Sequence, residues 1–293
     1  MMTSQFAIAL KQKQYKTYVL SDETSNSVLE IVPERGGIAT SWLVEGQEIF
    51  YLDAERFTNP DLTVRGGVPI LFPICGNLPD DTFTHKGEKW KLKQHGFARN
   101  LPWTVGEVVT EGSAALTLIL DSNEKTQAVY PFDFRLAFTY QIKGNSLEIF
   151  QRYTNLSEEP MPFSSGFHPY FLAPDKSKLR FEIPGMQYRD QNTHSKGYFT
   201  GVFDQTLDEI DVSFDELTGL AATVTDSSRD LRLTLSYNSS YGKLVFWMLK
   251  GKDFYCLEPW TAPRNALNTG AHLIYLPPGA TCEMLIRMTA TFL

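Results

Sequence analysis

Apolar and polar residues alternate with a period of two along much of this chain, and this alternation limits its fold more than any other feature. The clearest run covers residues 135–142, where every second side chain from Leu136 onward is large and apolar. The same alternation recurs over residues 231–237 and 284–288. Successive side chains of a β-strand point to opposite faces, so these runs predict strands with one buried face.

Turn-forming residues separate the alternating runs. The sequence KGNS at residues 143–146 predicts a β-hairpin, and residues 226–230 predict another. Helical periodicity is scarce, and only residues 123–130 and 214–220 are expected to carry a helical turn or two. No repeat, low-complexity tract or linker divides the 293 residues. We therefore predict an all-β protein, one large antiparallel β-sandwich that forms a single domain over residues 1–293.

Composition bounds the kinds of partner that the chain can have. Apolar residues make up 42% of the chain and charged residues 21%, which is enough apolar material for a sizeable core. The formal net charge of −7 weighs against a nucleic-acid surface, which needs a basic face, but it leaves room for a local basic pocket. The longest apolar runs, such as residues 244–249, are far too short to span a membrane.

Cysteine usage and the N-terminal residues indicate the compartment. The three cysteines are Cys75, Cys256 and Cys282, an odd and widely spaced set that fits neither a disulfide framework nor a zinc motif. An apolar patch at residues 6–10 is followed by lysines, whereas a signal peptide has its basic residues first. The sequence therefore predicts a cytoplasmic protein that does not bind nucleic acid or a membrane.

Three segments interrupt the alternation, namely residues 65–101, 164–174 and 257–270. Each is rich in proline, glycine and aromatic residues, and functional sites are often built on such loops over a rigid sheet. Each also contains one residue suited to proton transfer: His95, His168 and Glu258 in turn. Taken singly, each of these has an ordinary structural interpretation, such as a loop hydrogen bond, a buried histidine or a salt-bridged carboxylate.

Taken together and in this order, the segments resemble one enzyme family. They read RGGVPILFP from Arg65, QHGFAR from Gln94, GFHPYF from Gly166, LEPWT from Leu257 and NALNTG from Asn265. This set is similar to the aldose 1-epimerase (galactose mutarotase) family, and residues 65–99 are similar to its hexose-6-phosphate mutarotase-like branch. The resemblance extends from about Val28 to the C-terminus. It implies a galactose mutarotase-like supersandwich with the sugar site on one concave sheet, and a reaction that needs no cofactor and no metal.

The resemblance also assigns roles to individual residues. It places the acid that protonates the ring oxygen at His168 and the base at Glu258, so these two are the predicted catalytic residues. It places a sugar-binding histidine at His95. Trp260, which follows the base closely, offers a flat apolar surface for a face of the sugar.

Two further assignments remain open at the level of the sequence. The family's substrate-binding aspartate fits best at Asp211, but Asp204 and Asp215 lie close by. The substrate-binding arginine falls on Arg65 or Arg99, because the arginine motif of the galactose mutarotases is absent from this chain. The identity of the preferred sugar is therefore also open.

The residue types suit the reaction that the resemblance implies. Mutarotation needs a base to take the proton of the C1 hydroxyl and an acid to protonate the ring oxygen, and histidine titrates near working pH. A glycosidase with Glu258 and Asp211 as its carboxylate pair would leave both histidine segments unexplained. The expected ligand is a small-molecule sugar, either a free aldohexose or a hexose 6-phosphate, and the expected oligomeric state is a monomer or a homodimer. The alternative is a carbohydrate-binding or regulatory protein with the same fold and no turnover.

Overall fold

A computed structural model of the chain describes residues 5–293. The first four residues of the predicted 1–293 domain, and of the N-terminal segment discussed above, lie outside this range. The strands are β1 (Phe6–Gln12), β2 (Lys16–Asp22), β3 (Ser27–Val32), β4 (Ile38–Val44), β5 (Gln47–Glu48), β6 (Ile70–Leu71), β7 (Thr82–His85), β8 (Glu88–Lys91), β9 (Thr104–Val109), β10 (Ala114–Asp121), β11 (Phe134–Lys143), β12 (Ser146–Asn155), β13 (Met161–Phe163), β14 (Gly166–Phe167), β15 (Tyr170–Leu172), β16 (Leu179–Glu182), β17 (Gln187–Asp190), β18 (Lys196–Tyr198), β19 (Glu209–Phe214), β20 (Ala221–Asp226), β21 (Leu231–Tyr237), β22 (Lys243–Leu249), β23 (Phe254–Trp260), β24 (Ile274–Leu276) and β25 (Thr281–Phe292).

Helices within the described residues are short. The α-helices are α1 (Ala54–Thr58), α2 (Glu124–Gln127) and α3 (Ala266–Thr269), and 3₁₀ turns occupy Pro79–Asp81, Ala98–Asn100 and Lys176–Lys178. The helical turn predicted at residues 123–130 is confirmed as α2, which begins at a capping box on Asn123. The turn predicted at residues 214–220 is wrong. Phe214 instead ends strand β19, where it pairs with Leu244 of β22, and the residues that follow form bends.

The alternating runs form strands as predicted. Residues 135–142 lie in β11, residues 231–237 are β21, and residues 284–288 lie in β25. In β11 the apolar positions are fully buried and the positions between them face outward. Both predicted hairpins are also present, since Lys143 pairs with Ser146 across one turn and Asp226 pairs with Leu231 across the other.

Two eight-stranded antiparallel sheets form the body of the molecule. The first has the strand order β16-β20-β21-β25-β12-β11-β10-β9. The second has the order β18-β17-β19-β22-β23-β14-β6, with β15 also paired to β23. Phe138 of the first sheet contacts Phe167 of the second, with ring centroids 5.9 Å apart, so the two sheets pack face to face. The predicted all-β antiparallel sandwich is therefore confirmed.

Smaller sheets surround this sandwich. Strands β1 to β5 form a five-stranded antiparallel meander, and β7 with β8 and β13 with β24 form two-stranded ribbons. The hydroxyl of Tyr140, on the inner face of the first sheet, donates to the carbonyl of Gly37 next to β4. The division into one domain stays a prediction. Within residues 5–293, no helix is both long and apolar enough to cross a membrane.

Candidate active site

Strand β23 forms the floor of the candidate site, and both of its faces are buried. Tyr255 and Leu257 point into the core between the sheets. The alternate residues, Cys256, Glu258 and Trp260, point to the opposite face of the second sheet. Strand β22 lies alongside, with Val245 directly opposite Glu258. The period of two that builds the sandwich thus also presents the Glu258 carboxylate on the outer face of the sheet.

Burial on both faces also explains one departure from the sequence prediction. Residues 257–270 were expected to form a loop, but residues 257–260 belong to β23. A strand that is covered on both sides lacks the apolar and polar alternation by which a one-sided strand is recognised. Glu258 is only 1% exposed, so the predicted base sits on a rigid central strand and not on a loop rim.

His168 lies between the short strands β14 and β15, both of which pair with β23. Its backbone N–H donates to the carbonyl of Pro69, and its ring stacks on Tyr170 with centroids 4.7 Å apart and an 11° interplanar angle. Its Nε2 is 3.3 Å from Oε1 of Glu258. The indole N–H of Trp260 donates to the other carboxylate oxygen, Oε2, at 3.1 Å. The predicted acid and base therefore face each other directly.

Burial determines the charge state of this pair. A neighbouring carboxylate by itself would favour the charged form of His168. Burial instead lowers the pKa of His168 to about 3, and the positive charge of Arg99 acts in the same direction. Burial raises the pKa of Glu258 well above its usual range, and Asp211 adds to the rise. These opposite shifts favour the state in which His168 is neutral and the carboxyl group of Glu258 carries the proton in the ligand-free site.

His95 is held as a hydrogen-bond donor of defined orientation. Its backbone N–H donates to the carbonyl of Gly76, and the N–H of Gly76 donates to its Nδ1 at 3.1 Å. An Nδ1 that accepts must be unprotonated, so in the neutral ring the proton sits on Nε2. Burial holds the pKa of His95 well below the usual value, with the nearby Arg99 contributing. The ring meets those of His168 and Trp260 edge to face, each with centroids 5.6 Å apart.

These side chains open into one cleft of about 350 Å³, which is within the rough 300–1,000 Å³ range of small-molecule sites. The cleft is lined by all of the residues predicted from the sequence: His168, Glu258, His95, Arg65, Arg99, Asp211 and Trp260. The alternatives for the aspartate lie elsewhere. Asp204 bonds to Thr206 within its own turn, and Asp215 pairs with Lys243 beside a different hollow.

Arginines dominate the charge of the cleft. Arg56, Arg65, Arg99 and Arg264 all line it. Arg264 pairs with Asp211 at 2.7 Å, whereas among residues 5–293 no carboxylate lies within ion-pair distance of the other three. The guanidinium of Arg65 lies over the ring of Trp247 at 5.8 Å, and Arg99 donates to the carbonyl of Gln94. Burial lowers the pKa of Arg99, and Tyr170 and Glu258 partly oppose this effect.

Several cleft residues were not predicted from the sequence: Arg56, Thr63, Gln94, Tyr170, Glu209, Val245, Trp247 and Arg264. Tyr170 stacks on the ring of His168, whereas Phe97 of the first interrupting segment packs against Phe72 and Phe134 and borders a separate hollow. Arg264 lies within the third interrupting segment, so its position in the sequence was the one signal that could have found it. The sequence around Trp247 is that of an ordinary apolar strand. Its place in the cleft follows only from the pairing of β22 with β19.

One group of residues could hold a metal ion. Ligand atoms of His168, Cys256 and Glu258 all lie within 4.8 Å of one another. Burial raises the pKa of the Cys256 thiol well above its usual value, with Glu258 adding to the rise, and a thiol must lose its proton to bind a metal. The arginines of the cleft also oppose a cation at this point. The absence of a required metal or cofactor stays a prediction.

Comparison with known proteins adds an independent line of evidence. A family model described as Aldose 1-epimerase matches residues 16–289. The crystal structure of the Slr1438 protein from Synechocystis sp. PCC 6803 shares 44% sequence identity, with a TM-score of 0.94 over 98% of this chain and 99% of that one. Galactose 1-epimerase from Lactobacillus acidophilus NCFM has a TM-score of 0.79 at 15% identity over 99% of both chains, a likeness of fold alone.

Among curated proteins, one relative from Cenchrus ciliaris is provisionally named a glucose-6-phosphate 1-epimerase. It is 33% identical over 191 residues, which are 60% of this chain and 54% of the relative. The chain thus spans about half the length of that protein. Protein LacX of Lactococcus lactis subsp. lactis is 25% identical over 70% of this chain and 77% of its own length.

Proposed function

The chain belongs to the aldose 1-epimerase family, and on that premise we propose that it is a mutarotase that interconverts the α and β anomers of an aldohexose. One observation carries the proposal: His168 and Glu258 line the same open cleft, with Nε2 of His168 3.3 Å from Oε1 of Glu258. Mutarotation requires one acid and one base that act together on neighbouring oxygens of the sugar. The pair supplies both groups and shares a single proton between them.

The reaction proceeds with no net exchange of protons with water. The Glu258 carboxylate takes the proton of the C1 hydroxyl while the His168 imidazolium protonates the ring oxygen, and the C1–O5 bond breaks. Rotation about C1–C2 turns the aldehyde over, and the same two transfers in reverse close the ring. Ring opening leaves His168 neutral and Glu258 protonated, the distribution that burial favours in the ligand-free site. The pair therefore holds one proton before and after ring opening. Transfer of that proton from Glu258 to His168 gives the carboxylate and the imidazolium that react with the cyclic sugar.

Other residues of the cleft are suited to bind the sugar. His95 offers a fixed Nε2–H donor, and Asp211 offers carboxylate oxygens to sugar hydroxyls. Trp247 and Trp260 also line the cleft and provide aromatic surface, which suits the apolar face of a pyranose.

The unpaired arginines support a second candidate substrate. Arg56, Arg65 and Arg99 line the cleft and have no carboxylate partner within residues 5–293, and arginine matches phosphate oxygens in a forked geometry. A hexose 6-phosphate would place an anion among them. The provisional name of the Cenchrus ciliaris relative agrees with this substrate. The free aldohexose and the hexose 6-phosphate are distinguished by the salt experiment described in the Discussion.

Exchange between anomers, measured by saturation-transfer NMR on a panel of hexoses and hexose 6-phosphates, tests the proposed function. Replacement of Glu258 by Gln or of His168 by Asn is expected to slow exchange about 10²- to 10⁴-fold, because each removes one proton-transfer group. Glu258→Gln keeps an oxygen that can accept from Trp260, so little loss of thermal stability is expected. Glu182→Gln, at an exposed carboxylate that does not line the cleft, is the matched control and should retain wild-type exchange.

The alternative of a sugar-binding protein without turnover predicts a different result. Such a protein would bind a sugar saturably but leave anomer exchange at its spontaneous rate. Anomer exchange at the spontaneous rate on every sugar tested would contradict the proposed reaction. Wild-type exchange in Glu258→Gln would contradict it as well.

A further inference from the structure

Arg264 connects three separate segments of the chain at the cleft. It lies in the turn that follows β23, six residues after the proposed base. Its Nη2 donates to Oδ2 of Asp211 on β19 at 2.7 Å, and its Nη1 donates to Oδ1 of Asn77 at 3.1 Å. The forked guanidinium therefore fixes the Asp211 carboxylate against a loop from a distant part of the chain.

The aliphatic part of the Arg264 side chain is confined as well as its guanidinium group. A Cβ atom at Gly76 would lie 2.3 Å from Cγ of Arg264, so the arginine packs directly on this glycine. The N–H of the same glycine sets the tautomer of His95. On its other side the guanidinium lies 6.0 Å from the ring centre of Trp260, whose indole N–H holds Oε2 of Glu258. A side chain so constrained has little freedom to release Asp211.

Asp211 depends on this arginine for its charge balance. The Asp211 side chain is 12% exposed and faces Trp247 across the β19–β22 ladder. Burial raises the pKa of Asp211, and the adjacent Arg264 is the main influence that opposes the rise. Arg264 is its ion-pair partner among the described residues. A buried carboxylate without its partner costs free energy and tends to take up a proton.

The Nε–H of Arg264 is buried and has no hydrogen-bond partner within residues 5–293. The side chain thus retains one donor beyond those that hold Asp211 and Asn77. Other parts of the Arg264 side chain line the cleft.

We propose that Arg264 is a positioning and specificity residue that holds the Asp211 carboxylate as an acceptor for a sugar hydroxyl, and so acts on substrate affinity more than on proton transfer. This inference rests on the proposed mutarotase function. Hydrogen bonds to charged groups have a net effect equivalent to about 10- to 100-fold in binding. Arg264→Met is therefore expected to raise KM about 10- to 100-fold, with kcat reduced less than about threefold.

A double-mutant cycle with Asp211→Asn separates this role from a structural one. If Arg264 acts through Asp211, then Arg264→Met should change KM less than about threefold once Asp211 is already Asn. Arg264→Lys keeps the positive charge but loses the planar, two-pronged donor geometry of the guanidinium. Its KM should therefore fall between those of the wild type and Arg264→Met. Arg232→Met, at an exposed ion pair with Glu182, is the matched control for the loss of one arginine and should leave KM unchanged.

Different results would contradict the role of Arg264 and the proposed mutarotase function. Unchanged KM in Arg264→Met, a loss confined to kcat, or effects that multiply fully in the double variant would each overturn the role of Arg264. If Arg264→Met does not fold, the same cycle is run with Arg264→Lys and is judged by the same criteria. Wild-type protein that exchanges no sugar faster than the spontaneous rate would instead overturn the proposed function itself.

Discussion

One proton shared by His168 and Glu258 determines what the cleft can do. The pair reacts with a cyclic sugar only when exactly one of the two groups is protonated, because two protons leave no base and none leaves no acid. Burial has opposite effects on the two groups. It lowers the pKa of His168 to about 3 and raises that of Glu258 well above its usual range. The range of pH in which the pair holds one proton is thereby widened on both sides.

Activity is therefore expected to change little across the range in which an ordinary histidine titrates, without the step near pH 6.5 that such a histidine would give. The acid limb should appear only as pH falls toward the low pKa of His168, where a second proton is bound. The alkaline limb should appear only above the raised pKa of Glu258, where the one proton is lost. The measurement is kcat/KM for anomer exchange across this range, corrected for the spontaneous rate. A single titration centred near pH 6.5 would contradict the shared proton.

At this scale, the sequence predicts residues that carry chemistry within recognisable motifs. His95, His168 and Glu258 fall in distinctive glycine- and proline-rich segments and all line the cleft. Arg264 and Trp247 could not be assigned in this way, because their roles arise from the pairing of β19 with β22 and from the turn after β23. Such contacts between distant parts of the chain leave no local pattern in the sequence.

At the scale of elements, period-two alternation predicts the one-sided strands well, and β11 and β21 are examples. It fails for β23, whose two faces meet the core and the cleft, so that every residue is buried. It also fails where a glycine permits a close backbone approach. The segment that carries His95 depends on such a point, since Gly96 bridges to Phe72 and allows the chain to turn back toward the cleft.

Gly96→Ala is expected to destabilise the protein and to reduce activity. Its φ of +69° disfavours any other residue by about 1–2 kcal/mol, and a Cβ would lie 2.1 Å from the carbonyl oxygen of Phe72. Gly112→Ala is the matched control, because its φ is +76° but a Cβ there would meet nothing within 4 Å. Thermal unfolding should show a clearly larger loss for Gly96→Ala, accompanied by weaker sugar binding. Equal losses in the two variants would show that backbone conformation alone, and not the approach to Phe72, sets the cost.

At the scale of the whole molecule, charge is distributed unevenly. The chain has a formal net charge of −7, yet four arginines line the candidate cleft. The fold class follows from local alternation, whereas the strand order that brings β19, β22 and β23 together depends on long-range pairing and could not be read from the sequence. A monomeric or dimeric state and a cytoplasmic location stay predictions. The cationic cleft on an acidic molecule bears most directly on the choice of substrate.

If the substrate is a hexose 6-phosphate, salt should discriminate it from a free hexose. Guanidinium groups that are not paired to carboxylates attract phosphate, and this attraction is screened as the Debye length falls from about 10 Å at 0.1 M salt to about 3 Å at 1 M. KM for glucose 6-phosphate should therefore rise with salt, while KM for glucose and galactose should change little.

The arginine variants complete this test. Arg99→Met and Arg65→Met are each expected to raise KM for glucose 6-phosphate about 10- to 100-fold, since a charge-assisted hydrogen bond is lost, and to change KM for glucose much less. Arg135→Met removes an arginine from an exposed pair with Asp121 and serves as the control. Because burial lowers the pKa of Arg99 and its buried Nε has no hydrogen-bond partner within residues 5–293, its replacement should have the larger effect. Equal or better activity on the free sugars, insensitive to salt and to Arg99→Met, would identify the arginines as ligands of sugar hydroxyls and a free aldohexose as the substrate.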